Sequence, residues 1–198
     1  MFAIDKNISN QIGKNMKIYN ILTKQPKSTA VALGFFDGVH LGHQKIISKT
    51  VEYKKQRLLP SVITFLQNPQ SIIKNQKIEY LLTPEEKLAR LEQLGIQLAY
   101  ILDFNFIKDI SAEDFVKYAL KEALNAKALV CGFNYHFGRG GTSNVEDLRK
   151  MCEKYKIDLH VEPPVFYKGS LISSTRIRET FKIGNIRAAR EMLDISKI

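Results

Sequence analysis

The chain has 198 residues, 44% of them apolar, enough for a real core in one large domain or a domain with a small appendage. Its formal charge of +10 is spread as helix-face lysines, with no Lys/Arg run interleaved with aromatics. That favours a basic surface attracting polyanionic nucleotides and argues against a nucleic-acid partner. No apolar run approaches bilayer length, and 1–10 carries Asp5 and Lys6 where a signal peptide needs an apolar stretch, so no membrane partner is expected. The two cysteines, Cys131 and Cys152, read as free thiols in a reducing compartment, which makes the expected location cytoplasmic.

In chain order, a polar lead-in carries a short strand candidate over 16–22 and a turn at 24–27. Thr29–Leu33 reads as a buried strand, Gly34 and Gly38 punctuate a turn, and 44–56 continues as a helix with Ile46, Ile47, Thr50 and Val51 inward. Leu59–Phe65 is a second buried strand, completing a βαβ unit. Thr83, Pro84 and Glu86 carry an N-cap hydroxyl, a first-turn proline and a capping-box acid, and that helix ends at Gly95. A strand over 97–102 follows, then a helix from Ser111 to about Leu124, and a strand over 127–131 leading into Gly132. Ser143 with Glu146 opens another helix, and 157–161 is a strand before Pro163 and Pro164. No repeat or linker interrupts the alternation, which predicts an α/β fold: a doubly wound, mostly parallel sheet in a single domain. Such sheets bind ligands at the carboxyl ends of their strands.

Two junctions carry chemistry on their face. At the first, His40 and His43 lie three apart, so a helical first turn places both imidazoles on one side. Gly42 between them leaves no Cβ to obstruct a ligand. The unpaired N–H groups of a helix start suit an anion, most often a phosphate. No cysteine lies nearby and no Glu follows at the spacing of a helical zinc motif, so no protein-held metal is expected there. At the second, residues 172–178 look like a helix start with hydroxyl caps, yet Arg176 and Arg178 occupy a turn whose dipole prefers acids. Each misplaced cation costs roughly 0.3–1 kcal/mol unless a bound polyanion offsets it. The plainer reading has the arginines facing solvent and pairing with Glu179 or Glu162.

The string Gly34-Phe35-Phe36-Asp37-Gly38-Val39-His40-Leu41-Gly42-His43 resembles the signature Gly-x-Phe-Asp-Gly-Val-His-x-Gly-His of the prokaryotic FAD synthetases, in their FMN adenylyltransferase module. That module is a branch of the nucleotidyltransferases with the His-x-Gly-His motif. Ile172 to Arg178 matches their second motif, Ile-Ser-Ser-Thr-x-x-Arg, at every fixed position. Gly132-Phe133-Asn134-Tyr135-His136-Phe137-Gly138 is similar to their Gly-x-(Asp/Asn)-Phe-x-Phe-Gly loop, with Tyr135 where Phe is usual. The resemblance spans about 30–193. It implies a Rossmann-like nucleotidyltransferase fold and transfer of AMP from ATP to FMN, giving FAD and pyrophosphate, with Mg2+ held mainly by phosphate oxygens.

By the same resemblance His40, His43 and Arg178 are catalytic. Gly34, Phe35, Phe36, Asp37, Gly38, Ser174 and Thr175 bind ATP, with Ser173 a lesser candidate, and Asp37 either touches the ligand or fixes the loop. Asn134 and Phe137 offer an amide and an aromatic wall to the flavin, beside Asn68 and Pro69, while Phe133 is read as an apolar plug. One departure stands out: the family's Thr-Phe-Asp-Pro-His-Pro is here Thr64-Phe65-Leu66-Gln67-Asn68-Pro69, a change expected to act on flavin affinity or turnover rather than on reaction type. Most bacterial members carry a riboflavin kinase module next, and this chain ends at Ile198, so FMN adenylyltransferase over 1–198 without riboflavin phosphorylation is the expectation. The alternatives are a related nucleotidyltransferase with another phosphorylated acceptor, such as phosphopantetheine, and a non-catalytic flavin- or nucleotide-binding protein.

Overall fold

A computed structural model describes residues 15–73 and 75–194, so the reading of 1–10 lies outside the described residues. Six strands form one sheet: β1 (Lys17–Tyr19), β2 (Thr29–Leu33), β3 (Leu59–Phe65), β4 (Leu98–Leu102), β5 (Ala126–Gly132) and β6 (Asp158–Glu162). They run in the order β1-β4-β3-β2-β5-β6, and every neighbouring pair is parallel. The chain winds outward from β2 through β3 and β4, returns to β5 on the other side of β2, and continues to β6. The reversal leaves a crevice at the carboxyl ends of β2 and β5, the place where doubly wound sheets bind ligands.

The connecting helices are α1 (Leu41–Glu52), α2 (Pro69–Ile73), α3 (Pro84–Gln93), α4 (Phe104–Ile107), α5 (Ala112–Asp114, continuing in π geometry over Phe115–Ala123), α6 (Val145–Tyr155), α7 (Ser174–Lys182) and α8 (Ile186–Leu193). A small antiparallel hairpin, β7 (Phe166–Tyr167) and β8 (Ser170–Leu171), precedes α7.

Strand alternation sorts the core into two layers. Val31 and Leu33, with Ile63, Tyr100 and Leu129, face α5 and α6; Ala30 and Ala32, with Val62, Ala99, Ala128 and Val130, face α1 and α3. The alanines on the second face let Ile46 and Ile47 of α1 sit close to the sheet, which draws the start of α1 over the crevice. Ile172, Ile177, Ala189, Met192 and Leu193 form a third cluster that seats α7 and α8.

Several boundaries differ from expectation for local reasons. Only Lys17–Tyr19 of the 16–22 segment pairs, as an edge strand against β4 alone. Helix α1 begins at Leu41, ahead of Gln44, because His40 caps it, and its tail over Tyr53–Gln56 tightens to 3-10 geometry. The cap of α6 is Asn144 with Asp147, one residue beyond the predicted Ser143 and Glu146; Ser143 instead exchanges two backbone hydrogen bonds with Phe137, pinning the 132–138 loop. The capping box at Thr83 and Glu86 forms as read. Cys131 and Cys152 are free and buried.

Candidate functional site

The loop after β2 folds over itself. Phe36, Gly38 and Val39 all have left-handed backbones, with φ of 57°, 77° and 42°. A β-branched residue pays for that conformation, so surrounding contacts hold the loop in place. A Cβ at Gly38 would lie 2.8 Å from Leu81 Cδ1, and one at Gly34 would lie 3.0 Å from Phe36 Cζ. Both glycines therefore answer close approach, and Gly38 answers backbone conformation as well.

His40 leaves this loop as the N-cap of α1, and its Nδ1 accepts the His43 N–H at 3.3 Å. An Nδ1 that accepts leaves the ring proton on Nε2, so His40 is set as a donor at its other edge. The two rings stack, centroids 3.6 Å apart and 16° from parallel. Gly42, which lines the cavity, also serves the stack: a Cβ there would press on the His40 ring at 3.2 Å. Burial pushes His40 down to about 4. His43 is held well below the ordinary imidazole range by burial, then by His40 and Lys87, and its buried Nδ1 has no hydrogen-bond partner among the described residues. Both rings are thus neutral near pH 7, acting as hydrogen-bonding groups rather than cations.

Asp37 ties three segments together. Its Oδ1 accepts the Leu81 N–H at 3.0 Å, its carbonyl accepts the Ser174 hydroxyl at 3.0 Å, and its Oδ2 pairs with Arg178 Nη2. Arg178 also donates from Nε to Glu79 O at 2.7 Å. The carboxylate, 5% exposed, thereby fixes the loop against α7. The dipole conflict at the start of α7 is relieved inside the protein: Arg178 by Asp37, and Arg176 by the carbonyls of Ser170, Leu171 and Tyr167. Neither arginine uses Glu179 or Glu162; Glu162 is paired with His160 at 2.9 Å. Ser173 caps α7 by accepting the Arg176 N–H, while exposed Thr175 lines the site.

A single cavity of about 700 Å3 joins these groups. Gly34, Phe35, Phe36, Asp37, His40 and His43 line it together with Ser173, Ser174, Thr175 and Arg178, the two groups joined through Asp37. Gly38 sits in the loop just outside the lining. The cavity continues past Gly132 to Gly138 toward Phe104, Ile107 and Phe115, with Asn68 and Pro69 at its edge. Asn134 is exposed there, whereas Phe137 is 6% exposed and packs on Phe115 and Tyr135 as part of the core. Both loop aromatics line the cavity, Phe137 as a buried part of its wall and Phe133, expected to be an apolar plug, 43% exposed. Asn68 is buried, with its side-chain oxygen accepting the Gln70 N–H at 2.9 Å as α2 begins. The apolar wall from α4 and α5 was not read from the sequence, since Phe104 and Ile107 fall in a segment without strong periodicity. Lys87 was missed too, and a signal existed: it lies one and two helical turns before Leu91 and Leu94, on the buried stripe of α3.

Among the described residues, no cluster of three or more His, Cys, Asp or Glu is placed to hold a metal, and no helix is long and apolar enough to cross a membrane.

A parallel doubly wound sheet with a His-x-Gly-His helix start and a Ser/Thr/Arg helix start lining one cavity defines an α/β protein of the nucleotidyltransferase type. The chain belongs to the FAD synthetase family, whose model, described as FAD synthetase, matches residues 22–176. It is 32% identical over 167 residues to a bifunctional riboflavin kinase/FMN adenylyltransferase of Listeria monocytogenes, covering 82% of this chain and 52% of that protein. It is 31% identical over 175 residues to an FAD synthetase of the same organism, covering 86% of this chain and 70% of that one. The chain thus spans about half the length of the bifunctional relatives. Among solved structures, a Streptococcus pneumoniae crystal structure named as a macrolide-efflux protein superposes with a TM-score of 0.77 at 31% identity, over 89% of this chain and 60% of that one.

Proposed function

We propose that this chain is an FMN adenylyltransferase, transferring AMP from ATP to FMN to give FAD and pyrophosphate. The observation that carries the reading is the meeting of His40 and His43 with Ser174, Thr175 and Arg178 in one cavity that then opens into an apolar chamber. The first part suits a triphosphate, and the second suits an aromatic ring system.

In the proposed reaction an FMN phosphate oxygen attacks the α-phosphorus in line, a new P–O bond forms, and the bond to the β-phosphate oxygen breaks to release pyrophosphate. The attacking oxygen is already anionic, so no strong general base is required, and catalysis rests on positioning and charge stabilisation. Backbone N–H groups of the 35–38 loop face the α-phosphate, and His40 donates from Nε2 as charge moves to the bridging oxygen. Ser174 and Thr175 hold the outer phosphates, and Arg178 neutralises the departing pyrophosphate. In this reading Arg178 shares its guanidinium between Asp37 and the phosphates, since Asp37 already orients it. Asn134 meets the polar edge of the flavin, and Asn68 and Pro69 border it.

The carboxylates lining the cavity are already engaged, Asp37 by Arg178 and Leu81 and Glu162 by His160, which fits a magnesium ion that would arrive with the nucleotide rather than one held by these side chains. Such an ion would be held mainly by phosphate oxygens and would supply positive charge against the triphosphate. The proposed setting is the cytoplasm, with ATP and FMN as small-molecule partners.

The test is to mix the protein with ATP, magnesium and FMN and to measure FAD and pyrophosphate, with phosphopantetheine and glycerol phosphate as competing acceptors. Equimolar FAD and pyrophosphate from FMN alone is the expected result. Binding of ATP and FMN without pyrophosphate release would overturn it.

A further inference from the structure

Beneath the loop that follows β2 lies a buried cation that the reaction above does not use. Lys87 of α3 is 6% exposed, and its Nζ lies 3.3 Å from Phe35 O, 3.1 Å from Thr64 Oγ1 and 3.3 Å from Phe65 O. Thr64 Oγ1 donates in turn to Phe35 O at 2.8 Å, and the Phe35 ring lies 4.3 Å from the ammonium. An ammonium in a core is costly unless every proton finds an acceptor, and here three protons meet three oxygens. Leu91 and Leu94 share its helical stripe, so an apolar side chain would satisfy the packing alone. What Lys87 adds is a grip on the Phe35 carbonyl. In a planar trans peptide that carbonyl and the Phe36 N–H point opposite ways, so holding one aims the other.

We infer that Lys87 is a positioning residue for adenylyl transfer: in its charged form it locks the Phe35 carbonyl, and with it the loop peptides that face the α-phosphate, and the loop loses that order when Lys87 gives up its proton. This rests on the FMN adenylyltransferase reading. Two titratable groups face Lys87 from neighbouring elements, Asp37 from the loop and His43 from α1, while β3 presents only Thr64 and a carbonyl. Burial lowers the ammonium to about 8, partly opposed by Asp37. Above that pH the amine keeps two N–H groups, and one of the three oxygens loses its partner. The unfolded chain holds the proton up to about 10.5, so between about 8 and 10.5 this group's contribution to stability rises with pH. An alkaline fall in activity caused by Lys87 is therefore separable from unfolding.

The experiment measures FAD formation from MgATP and FMN across a pH range bracketing about 8 for the wild type, Lys87→Met and Lys87→Arg. Circular dichroism and thermal melts accompany it. Lys87→Met should lower kcat about 10²-fold at neutral pH, the scale of a small misplacement of reacting groups, and should lose the alkaline limb. Lys87→Arg, which keeps its charge, should recover part of kcat and also lack that limb. Wild-type turnover and pH profile in Lys87→Met overturn the role of Lys87 alone, whereas no FAD from the wild type at any pH overturns the FMN reading itself. Should either variant fail to fold, NMR titration of the lysine Cε resonances in the intact wild type decides. The Lys87 midpoint should rise when a non-hydrolysable ATP analogue binds, and an unmoved midpoint sinks the inference.

Discussion

At the end of the cavity proposed to take phosphates, the polar groups other than the unpartnered Nδ1 of His43 are largely bonded within the protein: His40 to the His43 N–H, Asp37 to Leu81, Ser174 and Arg178, and Lys87 to the carbonyl of Phe35. At the acceptor end Asn134 and Phe133 are exposed, and the apolar wall is assembled from α4, the start of the π segment and the 132–138 loop. Under the proposed reaction, the difference follows from what each end would recognise. Charge moving between phosphate oxygens requires donors fixed beforehand, because reorienting them during reaction costs what they would contribute. A flat ring asks for shape and a few edge contacts, which separate segments supply.

That contrast predicts that variants at the phosphate end damage turnover, while variants at the acceptor end change affinity. The largest effect belongs to Arg178→Ala, which removes a phosphate clamp and leaves the Asp37 carboxylate buried without its cation. FAD formation should fall on the order of 10³-fold. Thermal and urea denaturation should show a loss toward the lower end of the ~3–5 kcal/mol typical of a broken buried pair, because Arg178 is 16% exposed. Adding Asp37→Asn should recover stability without recovering turnover, and full additivity of the two changes would dissolve the coupling claimed here.

His40→Ala should lower kcat by about 10²-fold while FMN binding, followed by flavin fluorescence, is retained. Full activity in both His40→Ala and His43→Ala would remove the phosphate end from the chemistry. The same imidazoles set an acid limit on the fold. Each is depressed below 6.5, so as pH falls from about 6.5 toward about 4 the unfolded chain takes up protons that the folded protein refuses. Stability should decline across that window by up to about 1.4 kcal/mol per pH unit for each ring. Urea midpoints measured with and without a nucleotide analogue check this, and the analogue's negative charge should shrink the loss. The smallest effect is at the other end: Asn134→Ala should raise the KM for FMN by about tenfold and leave the KM for ATP unmoved, the loss of one hydrogen bond at an exposed edge. A fall in kcat with both KM values unchanged would erase the contrast between the two ends.

The two ends were also unequally legible. The phosphate end follows a short-range grammar: a buried run, a glycine turn and a pair of histidines at one helical spacing place β2, the loop and α1 side by side in the chain. The other end has no such continuity: the Ser143 bridge and the packing of Phe137 against Phe115 bury that ring in the wall and leave Phe133 exposed, which the loop sequence by itself does not indicate. The arginines at α7 raised the right question; for Arg176 the answer was nearby carbonyls, but for Arg178 it was a carboxylate far back along the chain, Asp37, which no local pattern names.

Periodicity, caps and glycine placement act over a few residues, so the amino-acid order alone determined the alternating strands and helices, the parallel winding and the two motifs proposed to face phosphate. Which side chains share a charge, which lysine lies under the loop and which aromatic fills the chamber depend on burial and on contacts between distant segments. Those came only with the packed sheet, because the energy of a buried charge depends on its partners across space and not on its neighbours in sequence.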